Sequence, residues 1–138
     1  MTAVEVMESL IKLGTVIADA SANHRKDSKF DFISFLKSDD AKNVKDAVNS
    51  ILESLKKDEL KAAITSVERK QKDILAGKQV VELSVDKLVQ YSSLIDTKLL
   101  LTTAIVKRNA DKDFFNWLLN DGLASILKIA KIAIPLLV

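Results

Sequence analysis

A chain of 138 residues with 21 Lys+Arg, 19 Asp+Glu and one histidine has a formal charge of +2 at pH 7, and that length is expected to make a single domain. The two signs alternate along the chain, which suits a solvated helical surface and excludes the clustered basic footprint of a nucleic-acid binder; the absence of cysteine excludes disulfides, thiolate catalysis and zinc–thiolate sites. With three glycines, one proline and 48% hydrophobic residues at a mean hydropathy of +0.12, the class expected is all-α, with helices buried on more than one face.

Thr2 followed three residues later by Glu5 is a capping box and starts the first helix. Its inward arc is expected to hold Val4, Met7, Leu10, Ile11, Gly14, Ile17 and Ala18, with Glu5, Glu8, Lys12 and Asp19 facing water. Val6, Leu13 and Val16 lie outside that arc, so the helix carries more apolar surface than one contact uses. A mid-helix glycine costs ~1 kcal/mol relative to alanine, so Gly14 predicts the close approach of another helix.

Asn23–Lys29 reads as a polar loop holding the single histidine, His24, with only Asp27 nearby in sequence; an exposed loop histidine is expected. Three of the five phenylalanines, Phe30, Phe32 and Phe35, then fall within six residues. A short helix after Ser28 would make them an aromatic plug at one end of a bundle, or, as the alternative, an aromatic ligand pocket.

Ser38 or Asp39 caps a third helix with the stripe Ala41, Val44, Ala47, Val48, Ile51, Leu52 and Leu55. A fourth follows with Leu60, Ala63, Ile64, Val67, Ile74 and Leu75. The step from Leu55 to Leu60 would rotate the apolar face by ~140° in an unbroken helix, so a turn near Lys57–Asp58, with Asp58 as cap, makes an αα-hairpin. Gly77 is expected as the C′ residue. The basic run Arg69, Lys70, Lys72 and Lys78 is interleaved with Glu68 and Asp73 and reads as solvated surface, and Lys78–Leu83 reads as a connector.

Ser84–Asn109 is the longest periodic segment and is expected to be a central helix surrounded by the others. Leu88, Ile95, Leu99 and Val106 form its expected buried line, broadened by Leu94, Leu101 and Ile105 and by Val89 and Leu100. Asp86, Gln90, Ser93, Thr97 and Arg108, with Ala104 among them, form the expected wet strip.

After a polar break at Asn109–Asp113, with Asp113 expected as cap, Phe114, Phe115 and Trp117 crowd into four residues. Beyond Gly122, Leu123, Ile126, Leu127, Ala130, Ile134 and Leu137 share one face, with Lys128 and Lys131 on the other. A basic, strongly apolar helix preceded by aromatics suits a final bundle helix, and also an interfacial membrane helix or one that docks in a groove. The candidate partner- or membrane-binding residues are therefore Phe114, Phe115, Trp117, Leu123, Ile126, Leu127, Lys128, Lys131 and Ile134.

No phosphate-binding glycine loop, dinucleotide fingerprint, zinc-protease motif or complete EF-hand loop occurs, and one histidine cannot supply two Glu-x-x-His iron ligands. A Ser-His-Asp set is compatible with the composition, but nothing in the sequence positions it. No catalytic residue, metal or cofactor is expected, and no enzyme. The expectation is an all-α bundle of five to six helices acting through surplus apolar helix faces on a protein partner or on its own copies. A membrane-active bundle that releases its C-terminal helix into an anionic bilayer is the alternative, and an apolar-ligand carrier the third. Glu5 and Glu8 preceding Lys12 do not resemble a signal peptide, and no apolar run reaches spanning length, so a cytoplasmic location is expected, with peripheral membrane association compatible.

Overall fold

The computed structural model describes residues 1–27 and 29–138, with residue 26 described through its backbone. It is the expected all-α bundle. Helix α1 spans Ala3–Ala20; strands β1 (Arg25–Lys26) and β2 (Lys29–Phe30) pair antiparallel over two rungs; α2 is Phe32–Leu36 and α3 Asp39–Ser54. Helix α4 spans Lys57–Leu75, a 3₁₀ turn occupies Val80–Glu82, and α5 spans Val85–Lys107. Helix α6 (Asp111–Trp117) runs through a five-residue π-helical turn, Leu118–Gly122, into α7 (Leu123–Leu137).

Local chemistry explains most boundaries. Thr2 Oγ1 accepts from the Glu5 amide at 3.1 Å and Glu5 Oε1 from the Thr2 amide at 3.0 Å, so the capping box is closed. Asp31, Ser38 and Ser84 cap α2, α3 and α5 through side-chain oxygens. Ser28, expected to open the short helix, lies outside the described residues. The remaining caps differ from expectation: α4 starts after Lys56 and α6 after Ala110, neither with a side-chain cap, in place of Asp58 and Asp113. At the other end of α4 Gly77 is the expected C′ residue, at φ 81°, and the C-cap before it, Ala76, is also left-handed at φ 49°, ψ 42°.

The helix walled in on most sides is α1. It packs against α3, α4, α7 and the π turn, and Val6, Met7, Leu10, Leu13 and Ile17 are buried. Val6 and Leu13, surplus to a one-sided stripe, are thereby consumed by a helix with neighbours on several sides. A Cβ on Gly14 would stand 2.8 Å from a Leu123 methyl, so the glycine serves the expected close approach, with α7 as the neighbour. Helix α3 is peripheral: of its stripe only Ile51 and the following Leu55 are buried, and Ala47 is exposed.

Helix α5 is rotated from expectation: the flanking Leu94, Leu100 and Leu101 are buried as expected, but the central line is exposed and Ser93, Thr97 and Ala104 of the expected wet strip are buried in its place. Ser93 is at 7% exposure, whereas Leu88, Ile95, Leu99 and Val106 are exposed, Leu99 by 66%. Apolar residues cover most of the helix circumference, so hydrophobicity alone scarcely prefers either face. Shape and hydrogen bonding decide it. Small side chains at Ser93, Thr97 and Ala104 let neighbouring helices approach, and Thr97 Oγ1 donates to the Ser93 carbonyl at 2.8 Å, which removes most of the cost of burying a hydroxyl. Helix α4 is the principal neighbour of α5, and Lys98 Nζ meets Glu68 Oε2 at 3.0 Å across that contact.

Candidate functional site

The exposed line of α5 has a regular spacing. Leu88, Ser92, Ile95, Leu99, Thr102 and Val106 succeed one another in steps of four, three, four, three and four, and all six are exposed. That is the spacing of a coiled-coil a/d line, of period 3.5, with serine and threonine at two of its six positions, spread here over about 27 Å at 1.5 Å per residue. Val85 extends it at the N-terminal end and is 77% exposed.

Helix α7 lies beside this seam, and the two helices enclose an open groove of about 720 Å³. Leu88, Val89 and Leu99 form its α5 wall, Lys128, Ile129 and Ile132 its α7 wall, and Trp117 with Gly122 its end. Asp96 stands on the α5 side, so each wall carries one charge of opposite sign. The floor includes Ser93, whose buried Oγ has no hydrogen-bond partner. Trp117 is held where α6 gives way to the π turn: a Cβ on Gly122 would stand 2.9 Å from the indole carbons. The φ of Gly122 is an ordinary helical −65°, so glycine is required there for room and not for conformational freedom. A π turn adds one residue to the helical register, re-aiming the residues that follow.

The sequence candidates separate into two sets. Phe114, Phe115 and Ile126 are buried in the core and present no docking surface. Trp117, Leu123 and Ile134 are half-buried, and Leu127, Lys128 and Lys131 are exposed. Of the nine, Trp117 and Lys128 come together at the groove. Ile95, Leu99 and Val106, the largest contributors to the exposed seam, were assigned to the core by sequence reasoning. Their four–three spacing over nineteen residues was the available signal, because a line that strict suits a helix–helix seam better than the broader stripe facing a globular core.

The aromatic plug forms as expected. Phe32 stacks on Phe115 at 5.4 Å, Phe30 contacts both Phe32 and Phe35, and Phe114 touches Phe115 and Trp117. Arg108 seals its edge, with the guanidinium 5.1 Å from the Phe114 ring centre and Nε donating to the Leu55 carbonyl at 3.2 Å. These rings fill one another's space, the packing of a plug and not of an aromatic pocket.

His24 differs from the expected exposed loop residue: its side chain is only 16% exposed. Nε2 lies 2.9 Å from Asp40 Oδ2 and Nδ1 lies 3.3 Å from Ser34 Oγ. The carboxylate partner is thus Asp40, not the sequence neighbour Asp27; because a carboxylate only accepts, Nε2 carries the proton of that bond. Serine, histidine and aspartate are therefore positioned in a row. Acyl transfer would also require amide donors for an oxyanion, and the Ser34 amide is already bound to Asp31 Oδ1 at 3.2 Å. The arrangement braces the start of β1 against α2 and α3. Among the described residues no three His, Cys, Asp or Glu side chains converge to hold a metal ion.

Compared with family models, curated proteins and solved structures, the chain matches none.

Proposed function

We propose that this protein is a non-enzymatic interaction module that docks an apolar helix on the seam of α5 and the adjoining wall of α7. One observation carries the reading: a line of a/d spacing on the longest helix of the bundle, four aliphatic side chains and two hydroxyl residues from Leu88 to Val106, is left exposed. Four aligned aliphatic side chains left 44–66% exposed cost solubility and stabilise the fold by only part of their burial, whereas a partner helix would cover the remainder. Exposed aliphatic side chains scattered singly call for no such explanation; these are aligned.

The membrane-active alternative has less behind it. Releasing α7 would uncover Ile126 and Ala133, both fully buried, and would empty the contact at Gly14. No helix among the described residues is long and apolar enough to cross a membrane.

The test compares the protein with its Leu99→Asp variant. A carboxylate at so exposed a position leaves the fold intact, which circular dichroism and thermal melting check. The unaltered protein is expected to self-associate or, as a monomer, to take up a hydrophobic dye, and the variant to do neither. A monomer with no dye uptake refutes the docking face. Blue-shifted Trp117 emission on anionic vesicles, with leakage of their contents, would transfer the reading to lipid.

A further inference from the structure

We infer that the occupant of the α5 seam is α5 of a second copy of this chain, packed antiparallel about a two-fold axis that passes near Thr97. This deepens the docking-face reading and rests on it. Two properties of the seam favour a copy over a foreign helix.

The first is self-complementarity. A two-fold interface brings one patch against itself, so residue i must suit residue j while j suits i. An antiparallel a/d pairing sets a against d, and the register centred on residue 97 sets Leu88 against Val106 of the other copy and Ile95 against Leu99. The same register sets Ser92 against Thr102. Every aliphatic position thus meets an aliphatic one, and the seam's two hydroxyl residues meet each other. Thr102 Oγ1 already donates to the Lys98 carbonyl at 2.8 Å, so its lone pairs are available to accept from the Ser92 hydroxyl. In the neighbouring antiparallel register, one heptad away, Ser92 would face Ile95 and leave its hydroxyl against an apolar side chain.

The second is area. Counting the exposed aliphatic side chains of the seam together with Val85, Val89 and Ile132, at roughly 90 Å² each, gives on the order of 600 Å² per chain, one partner's share at the lower end of specific interfaces. The approach is open, since α4 and α7 flank α5 without covering the seam.

The chain has no cysteine, so introduced thiols report unambiguously. In the double variant Leu88→Cys/Val106→Cys the two thiols of one chain lie about 27 Å apart along the helix, far beyond disulfide reach. Antiparallel pairing brings each beside its counterpart in the other copy. The unaltered protein is expected to have the mass of two chains by light scattering at roughly 100 µM, a concentration that reveals even a weak dimer. Mild oxidation is expected to convert the double variant to covalent dimer and to leave either single variant largely uncrosslinked. Single variants that crosslink as fully as the double one would overturn the antiparallel register, and a monomer at that concentration would overturn self-pairing. A monomer that binds hydrophobic dye, and loses it on Leu99→Asp, would keep the docking face while discarding the copy as its occupant. A monomer without dye uptake would discard both. Leu99→Thr, which replaces the γ-branched aliphatic side chain by a shorter, uncharged one, provides a second disruption if the aspartate variant folds poorly, and is expected to weaken dimerisation severalfold.

Discussion

Replacing Leu101 and Leu99 by alanine, separately, measures which face of α5 belongs to the core. Leu101 is fully buried and Leu99 is 66% exposed, although they are two residues apart on one helix. Leucine to alanine removes three carbons, worth ~2.4 kcal/mol at ~0.8 kcal/mol per buried methylene. At Leu101 the vacated space is enclosed, and the cavity raises the loss to ~3–4 kcal/mol. At Leu99 about a third of the side chain is covered and no closed cavity forms, so the loss stays below ~1 kcal/mol. For a chain of this size a loss of ~3–4 kcal/mol lowers Tm by ~10 °C, and Leu99→Ala would lower it by ~3 °C or less. Urea unfolding at submicromolar protein, where association adds nothing to the apparent stability, separates the two. Equal losses, or a larger one at Leu99, would refute the facing of α5 and with it the docking seam.

Gly122→Ala would press a methyl group into the Trp117 indole; a loss of ~1–3 kcal/mol is expected, with altered Trp117 emission, and a variant as stable as the parent would refute the contact. Ala76→Gly relieves a left-handed alanine at the end of α4. Thermal melting should record a gain of ~0.5–1 kcal/mol, and a destabilised variant would show that the conformation carries no strain. The Thr2 amide, and after it the Thr2 hydroxyl, hold the Glu5 carboxyl below its ordinary value of 4.5. A depressed carboxyl contributes stability that is present above pH 4.5 and is lost as pH falls through the folded value. Glu5→Gln should therefore be less stable than the parent at pH 6–7, with the gap closing as pH falls below 4.5, the convergence being read by urea titration; a gap unchanged with pH would refute the charge-assisted cap. His24→Ala should loosen β1 from α2 and α3 by removing both its contacts, at a cost of ~1–2 kcal/mol, with faster amide exchange confined to that end.

The all-α class, the break between α3 and α4, the closed capping box and the aromatic plug were legible in the amino-acid sequence because each rests on neighbours a few residues apart. The αα-hairpin expected from that break did not form, because α3 packs on α1 while α4 packs on α5. Thr2 and Glu5 meet within one turn; the five-residue step from Leu55 to Leu60 breaks a helix wherever the remainder of the chain lies; Phe30, Phe32 and Phe35 are too dense for water. Gly14 likewise announced a close helix, though not which one. The facing of α5 was of another kind. Its two long faces, one through Leu94 and Leu101 and the other through Leu88 and Leu99, are both apolar, so the hydrophobic effect, which is non-directional, left them nearly equal. Tertiary packing decided between them through shape, since Ser93, Thr97 and Ala104 admit neighbouring helices that the bulkier Ile95 and Leu99 would hold away. His24 found Asp40 for the same reason: their separation of sixteen residues becomes 2.9 Å only when α3 folds back past α2. The seam that carries the proposed function is thus written in the sequence as a spacing, and its exposure is a property of the packed bundle alone.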